Sequence, residues 1–134
     1  MKTVLWIAVA IALLVVAFRA LNGAKKFGLA NNILLAKYTL EHQTEENKAL
    51  ILDRAKQILR RQSNEDWEPM ESPYFAPWKY SLIALAMLEL GISPALDGEK
   101  WIAPSKPLDI RTGDPRLELA RRRLKRINGV DISL

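Results

Sequence analysis

The chain has no cysteine and only one histidine among its 134 residues. Without cysteine it cannot form a disulfide, a thiolate nucleophile or a cysteine-ligated zinc site. The absence of cysteine also fits a reducing compartment. His42 precedes Glu45 and Glu46 by three and four residues, a spacing at which a carboxylate can share a metal with the imidazole. Because two ligands do not make a site, we interpret His42 as a solvated surface residue and predict no metal and no cofactor.

Motifs for catalysis are missing as well. The sequence contains no nucleophile elbow and no glycine-rich loop that cradles phosphate, and a Ser-His-Asp arrangement would have to use His42. A membrane-anchored enzyme built on His42 with Glu45 or Glu46 is the least favoured interpretation. We therefore predict a protein that is not an enzyme and takes no small-molecule substrate.

Charge, glycine and proline are all absent from Thr3 to Phe18, a run bracketed by Lys2 and Arg19. A bilayer core of about 30 Å needs about 20 helical residues. The basic side chains can extend the run, because their aliphatic stems lie in hydrocarbon while their charges reach the headgroups. We therefore predict a transmembrane anchor over residues 1–21, with Trp6 at an interface.

A cleaved signal peptide is the competing interpretation of the same segment. Lys2 followed by an apolar run is typical of such peptides, and Val15, Val16 and Ala17 offer a tolerable cleavage site. We favour the uncleaved anchor, since the apolar run together with its basic flanks reaches the length of a span.

The basic residues near the two ends of the run predict its orientation. Lys2 stands alone on the amino side, whereas Arg19, Lys25 and Lys26 follow on the other side. The more basic side stays in the cytoplasm. We therefore expect the rest of the chain to be cytoplasmic.

Roughly 110 residues follow the apolar run, enough for one small domain and too few for two. Residues 22–28 combine two glycines with two lysines and predict a juxtamembrane hinge. Apolar periodicity and capping residues then predict helices at about 29–41, 45–62, 77–90 and 115–128. The predicted fold class is all-α, a single transmembrane helix followed by a three- to four-helix domain over residues 29–134 with long loops.

The polar stretch 41–48 leaves two interpretations open. Thr44 can cap a second helix whose first turn carries Glu45 and Glu46, where acidic side chains complement the helix dipole. Alternatively, one long helix runs from 29 to 62 with a solvated middle. We favour the cap, which makes a two-helix hairpin.

Two irregular segments carry most of the aromatic residues. In the predicted loop 63–76, an acidic stretch is most simply solvated and does not match a calcium loop. The aromatic residues around it are equally suited to anchor an interface or to cover a small core: Trp67, Tyr74, Phe75 and Trp78. Segment 92–113 predicts either a wrapping arm or a binding loop, in which Trp101 and Ile102 are packing residues and Trp101 is also a candidate contact.

The formal net charge of +5 comes from one predicted helix. Residues 116–126 hold six basic residues against Glu118, and the rest of the chain balances at 14 basic and 14 acidic residues. Leu117, Ala120, Leu124 and Ile127 form the predicted apolar stripe of this helix. The candidate contact residues on the remaining surface are Arg116, Arg121, Arg122, Arg123, Lys125 and Arg126.

Three interpretations of these cations remain open. They form a solvated helix face, they contact a protein or an anionic lipid surface, or they bind nucleic acid. Nucleic acid is favoured least, because the helix has no aromatic residue on which a base could stack.

Taken together, the sequence predicts a non-enzymatic, single-pass accessory or scaffolding subunit of a larger membrane protein complex. The alternative is a membrane-tethered binder of polyanions, either anionic lipid or nucleic acid, that acts through the basic carboxyl-terminal helix. The expected partners are membrane lipid and other membrane protein subunits.

Overall fold

The computed structural model describes residues 2–104 and 112–134, without the side chains of residues 20–26. The chain is all-α, as predicted, and no strand occurs in these two ranges. Two short 3₁₀ helices, Glu68–Glu71 and Pro73–Phe75, interrupt the segment that we predicted as a loop. The α-helices are α1 (Lys2–Glu41), α2 (Glu45–Gln62), α3 (Ala76–Glu89) and α4 (Pro115–Asn128).

Helix α1 runs without interruption for 40 residues, about 60 Å at the rise of an α-helix. The predicted hinge at 22–28 is therefore wrong as a break in the helix. A glycine inside a helix costs only about 1 kcal/mol relative to alanine, which the packing of residues 27–40 is able to offset. The lysine side chains predicted at this hinge lie outside the described residues.

The first part of α1, Lys2–Arg19, is long and apolar enough to cross a membrane, and none of it is buried against the rest of the chain. A core helix of a soluble protein with the same composition would be mostly buried. This segment, which we call the apolar half of α1, instead projects from the domain with large side chains such as Trp6 (71% exposed) and Leu14 (69% exposed) in the open.

The domain forms around residues 27–41 of α1. Helix α3 packs against both α1 and α2, while α4 packs against α1. One core cluster lies among α1, α2 and α3 and includes Ile51, Leu59 and Met87. A second cluster joins α1 to α4 and to the carboxyl-terminal tail through Ile33, Leu124 and other buried residues. Because helices cover it on more than one side, α1 is buried over most of its circumference here.

Capping residues fix the ends of α2 and α4. The Thr44 hydroxyl accepts a hydrogen bond from the Asn47 amide at 3.2 Å, so the predicted cap is confirmed and residues 29–62 do not form one long helix. Asp114 accepts from the Arg116 amide at 2.9 Å and begins α4. Gly129 ends α4 with φ of 70°, a left-handed conformation that favours glycine.

The segment that follows α3 wraps along α1 as far as Pro104. The Ala95 amide donates to Thr39 Oγ1 at 3.0 Å, and the Ile102 backbone pairs with the side chain of Asn32. This part of the predicted long connection is thus a wrapping arm. Residues 105–111 of the same connection lie outside the described residues.

Helix α4 runs back along α1 toward the apolar half. Leu117, near the start of α4, borders the same groove as Leu34. Two turns later Arg123 Nη1 donates to Asn31 Oδ1 at 3.3 Å, and Asn31 precedes Leu34 in α1. The carboxyl end of α4 therefore lies at the end of the domain from which the apolar half of α1 emerges.

Candidate functional site

The six basic residues of α4 differ in the carboxylates with which they pair. Arg121 donates to both carboxylate oxygens of Asp131, from Nε at 2.6 Å and from Nη2 at 3.0 Å. These hydrogen bonds hold the pKa of the Asp131 carboxyl below its usual value and raise the pKa of Arg121. The ion pair holds the carboxyl-terminal tail against α4, so the Arg121 guanidinium already has a partner within the chain.

Arg123 lies in the most enclosed polar cluster of the domain. Its Nη1 is 2.9 Å from Glu99 Oε1, and the Glu99 side chain is only 6% exposed. Glu99 also accepts hydrogen bonds from the side-chain amides of Asn128 at 3.1 Å and Asn31 at 3.4 Å. The cluster joins α1, α4 and the wrapping arm, which makes Arg123 a structural residue rather than a free cation.

The remaining cations of α4 differ in their pairing. Arg122 Nε lies 3.3 Å from Glu118 Oε1, and the Arg122 side chain is 73% exposed. Such a solvent-exposed ion pair contributes little to the stability of the fold. Arg116 pairs with Asp114 at the start of the helix. Lys125 and Arg126 are exposed, and neither has a carboxylate partner within the described part of the chain. Of the six candidates, these two are placed to meet an external anion.

One part of the predicted apolar stripe is wrong. Ala120 and Leu124 are buried against α1 and Leu117 is half-buried, but Ile127 is 55% exposed. Ile127 is the penultimate residue of α4. An exposed isoleucine therefore stands directly after the exposed Arg126.

The aromatic residues of segment 63–78 separate into two groups. Trp67, Phe75 and Trp78 are half-buried and pack against the first core cluster, so for them the covering interpretation fits. Tyr74 is 68% exposed and contacts the edge of the Phe75 ring at a centroid distance of 5.1 Å. Tyr74 alone among the four presents a free aromatic surface of the kind that interfaces use.

The acidic residues of this segment were expected to be solvated, and Glu65, Asp66, Glu68 and Glu71 are exposed. Glu71 also accepts hydrogen bonds from Lys79 Nζ at 2.9 Å and from Trp67 Nε1 at 2.8 Å. These two donors lower the pKa of the Glu71 carboxyl. The acidic stretch thus contributes to fixing Trp67 over the core.

Trp101 was also a candidate contact residue. It is half-buried, packs against both core clusters, and donates from Nε1 to the Ile92 carbonyl at 2.7 Å. This placement fits the packing role that the sequence predicted for it. Ile102, which was predicted to pack, is 43% exposed and touches the position of Gly28.

His42 stacks on the Tyr38 ring at 4.1 Å, and its Nδ1 lies 2.8 Å from the Tyr38 carbonyl oxygen. Glu45 is engaged with Lys48 at 3.2 Å. Across residues 2–104 and 112–134, no group of three histidine or acidic side chains could hold a metal ion.

Two cavities border the helices that pack on α1. A cleft lined by Leu29, Leu88, Ile102 and other residues has a free volume of about 10 Å³, room for no more than one water molecule. A groove of about 340 Å³ lies between the start of α4 and the tail, and Pro77 and Ile132 contribute to its lining.

Comparison with protein-family models, curated proteins and solved structures finds no match to this chain. The geometry of the chain itself is therefore the basis for any functional proposal.

Proposed function

We propose that the protein is a non-enzymatic accessory subunit, anchored in a membrane by the apolar half of α1, which presents a small helical domain to other membrane proteins. The observation that carries this proposal is that no residue of Lys2–Arg19 is buried against the rest of the chain. Leaving this many apolar side chains in water is strongly unfavourable, at about 25 cal/mol for each Å² of apolar surface. Hydrocarbon removes that cost.

The continuity of α1 supports a scaffolding role. Because the helix enters the domain without a break, the domain follows the orientation of the membrane-embedded segment. A flexible tether would allow the domain to tumble, whereas a continuous helix presents the same face to a neighbouring subunit. The excess of basic residues after Phe18 places this domain on the cytoplasmic side in the proposal.

Tyr74 is the proposed protein contact on the domain. It is the most exposed aromatic side chain beyond the apolar half of α1 among the described residues, and a proline-containing 3₁₀ helix supports it. Tyrosine is enriched among the residues that dominate binding energy at interfaces. The short helix also holds the side chain in place, which reduces the entropy lost on binding.

The alternative function, a tethered polyanion binder that uses the whole of α4, has less support. Arg116, Arg121, Arg122 and Arg123 each have a carboxylate within 4 Å. Of the six cations, Lys125 and Arg126 are left as candidates for an external anion.

Affinity purification of the tagged full chain from its own membranes in mild detergent tests the proposal. We expect a stoichiometric set of membrane proteins, identified by mass spectrometry, and a chain mass that still includes residues 2–21. A free monomer, or a chain cleaved near Ala17, would refute the subunit or the anchor respectively.

A matched pair of variants tests Tyr74 in the same assay. Tyr74→Ala is expected to weaken the affinity for the partner by about thirtyfold or more and to reduce its recovery accordingly, since loss of an interface hot spot costs at least about 2 kcal/mol. Leu50→Ala is the control, because Leu50 is also a large exposed side chain, at 51%, but lies on α2. Equal recovery with the two variants would remove Tyr74 from the interface.

A further inference from the structure

Three exposed apolar side chains lie at the end of the domain from which the apolar half of α1 emerges. Ile102 contacts the position of Gly28, and Leu88 shares a cleft with Leu29. Ile127 lies one turn beyond Arg123, which contacts Asn31. We call Leu88, Ile102, Arg126 and Ile127 the base face.

From this arrangement we infer that the base face rests in the headgroup layer of the membrane and that Arg126 binds lipid phosphate. The inference builds on the proposed anchor in α1. It assigns a lipid surface, rather than a protein, to this end of the domain.

The length of α1 between the membrane and the domain supports the assignment. If residues 2–21 fill the hydrocarbon core, Phe27 lies six residues further on, about 9 Å along the helix axis. The headgroup layer on each side of the core is about 5–8 Å thick. An upright α1 therefore holds Phe27 just outside this layer, and a tilt of the span, about 20° on average for transmembrane helices, lowers one side of the domain into it. Because the helix is continuous, the base face approaches or leaves the surface only as the span tilts.

The chemistry of the base face matches that environment. Its isoleucines are 43% exposed at Ile102 and 55% exposed at Ile127, and Leu88 is 39% exposed. A guanidinium beside such apolar groups is typical of surfaces that lie at the membrane interface, where the apolar part enters the acyl boundary and the charge meets phosphate. Lys125 adds a second exposed cation at the same end of α4.

The absence of native cysteine allows each position to be probed by a single engineered cysteine. The full chain is reconstituted in nanodiscs of mixed phosphatidylcholine and phosphatidylglycerol and labelled with a fluorophore at Ile127→Cys. The control is Glu46→Cys, since Glu46 is exposed and lies in the first turn of α2, beyond the far end of α1. A third variant, Leu14→Cys, reports on the apolar half.

The expected result is that nitroxide-headgroup lipids quench the label on Ile127→Cys but leave the label on Glu46→Cys unchanged. Acyl-chain nitroxides should quench the label on Leu14→Cys. If acyl-chain nitroxides quench the Leu14→Cys label but headgroup nitroxides quench Ile127→Cys and Glu46→Cys equally, the assignment of the base face is overturned and the anchor stays intact. No quenching at Leu14→Cys would refute the proposed anchor itself.

The role of the cations is tested in the Ile127→Cys background. Lys125→Gln with Arg126→Gln should lower the ratio of molecules whose base face lies on the surface to molecules whose base face does not. We expect about a fivefold decrease for each charge removed, because one basic residue near an anionic surface strengthens binding by about that factor. Arg122→Gln is the matched control, because Arg122 is exposed on the same helix but is paired with Glu118. Equal quenching in all three proteins would overturn the assignment of lipid phosphate to Arg126.

Discussion

The side chain of Asn32 forms two hydrogen bonds with the backbone of Ile102, 70 residues away in the sequence. Asn32 Nδ2 donates to the Ile102 carbonyl at 2.7 Å, and the Ile102 amide donates to Asn32 Oδ1 at 3.0 Å. Asn32 is only 5% exposed. An irregular segment that does not form a strand thereby satisfies its backbone on the side of a helix.

Asn32→Ala is expected to lower the free energy of unfolding by about 2 kcal/mol, because it leaves one donor and one acceptor of Ile102 without partners. Chemical denaturation in detergent, followed by circular dichroism, measures the change. Asn47→Ala is the control: Asn47 is exposed and its side-chain amide donates only to Gln43, so we expect a change within about 0.5 kcal/mol. Similar effects of both substitutions would show that the wrapping arm does not depend on Asn32.

Arg123 and Arg122 are adjacent in sequence but should differ in their contributions to stability. Arg123→Ala leaves the enclosed Glu99 carboxylate without its counter-charge and is expected to cost about 3 kcal/mol. Arg122→Ala removes a solvated pair with Glu118 and is expected to cost less than about 0.5 kcal/mol. Thermal and chemical unfolding of the two variants measure the difference, and equal losses would contradict the arrangement around Glu99.

Gly28 and Ile102 should be energetically coupled. A Cβ at Gly28 would lie 2.9 Å from Cδ1 and Cγ1 of Ile102, too close without movement of that side chain. Gly28→Ala should therefore gain the full helix-propensity benefit of about 1 kcal/mol only in an Ile102→Ala background. A double-mutant cycle on the free energy of unfolding tests this, and strictly additive effects would refute the close approach.

Thr44→Ala should destabilise the chain by about 1 kcal/mol, since it removes the side-chain acceptor for the Asn47 amide at the start of α2. Thr44→Ser keeps the hydroxyl and is the matched control, with most of the stability retained. Denaturant midpoints at constant slope report the difference. If the alanine and serine variants were equally stable, the cap would contribute nothing measurable.

Acid should destabilise the domain partly through Glu71. Hydrogen bonds from Lys79 and Trp67 place the folded-state pKa of Glu71 below its unfolded value near 4.5. The stabilisation is therefore complete above about pH 4.5 and is lost as the pH falls through the lower folded-state pKa. Unfolding measured across this range should show a smaller acid-side decline in Glu71→Gln and, to a lesser extent, in Lys79→Gln, which keeps the hydrogen bond from Trp67. Adding Lys79→Gln to Glu71→Gln should reduce the decline no further.

The sequence predicted the helix ends correctly where a single capping residue determines them. Thr44, Asp114 and Gly129 mark helix ends because their side chains, or the absence of one, satisfy the free backbone groups at those ends. The helix bounds of α2 and α4 agree with the predicted 45–62 and 115–128. The all-α class followed from the same periodicity.

The predictions that failed depended on contacts between distant residues. Gly23 and Gly28 indicated a hinge, but tertiary packing of the following residues determines whether the helix continues. The carboxylate partners of Arg121 and Arg123 could not be predicted either, because Asp131 and Glu99 lie in irregular segments whose paths the sequence does not determine. Six neighbouring cations therefore looked equivalent, although the structure gives them different partners.

The unbroken course of α1 also fixes the rotation of the domain, about the helix axis, relative to the apolar half. Each residue of an α-helix turns the chain by about 100° and advances it by about 1.5 Å. Insertion or deletion of one residue between Arg19 and Phe27 would therefore rotate every surface of the domain about the helix axis while barely changing its height. In the proposed anchored state, only insertions or deletions of whole helical turns would preserve what the domain faces.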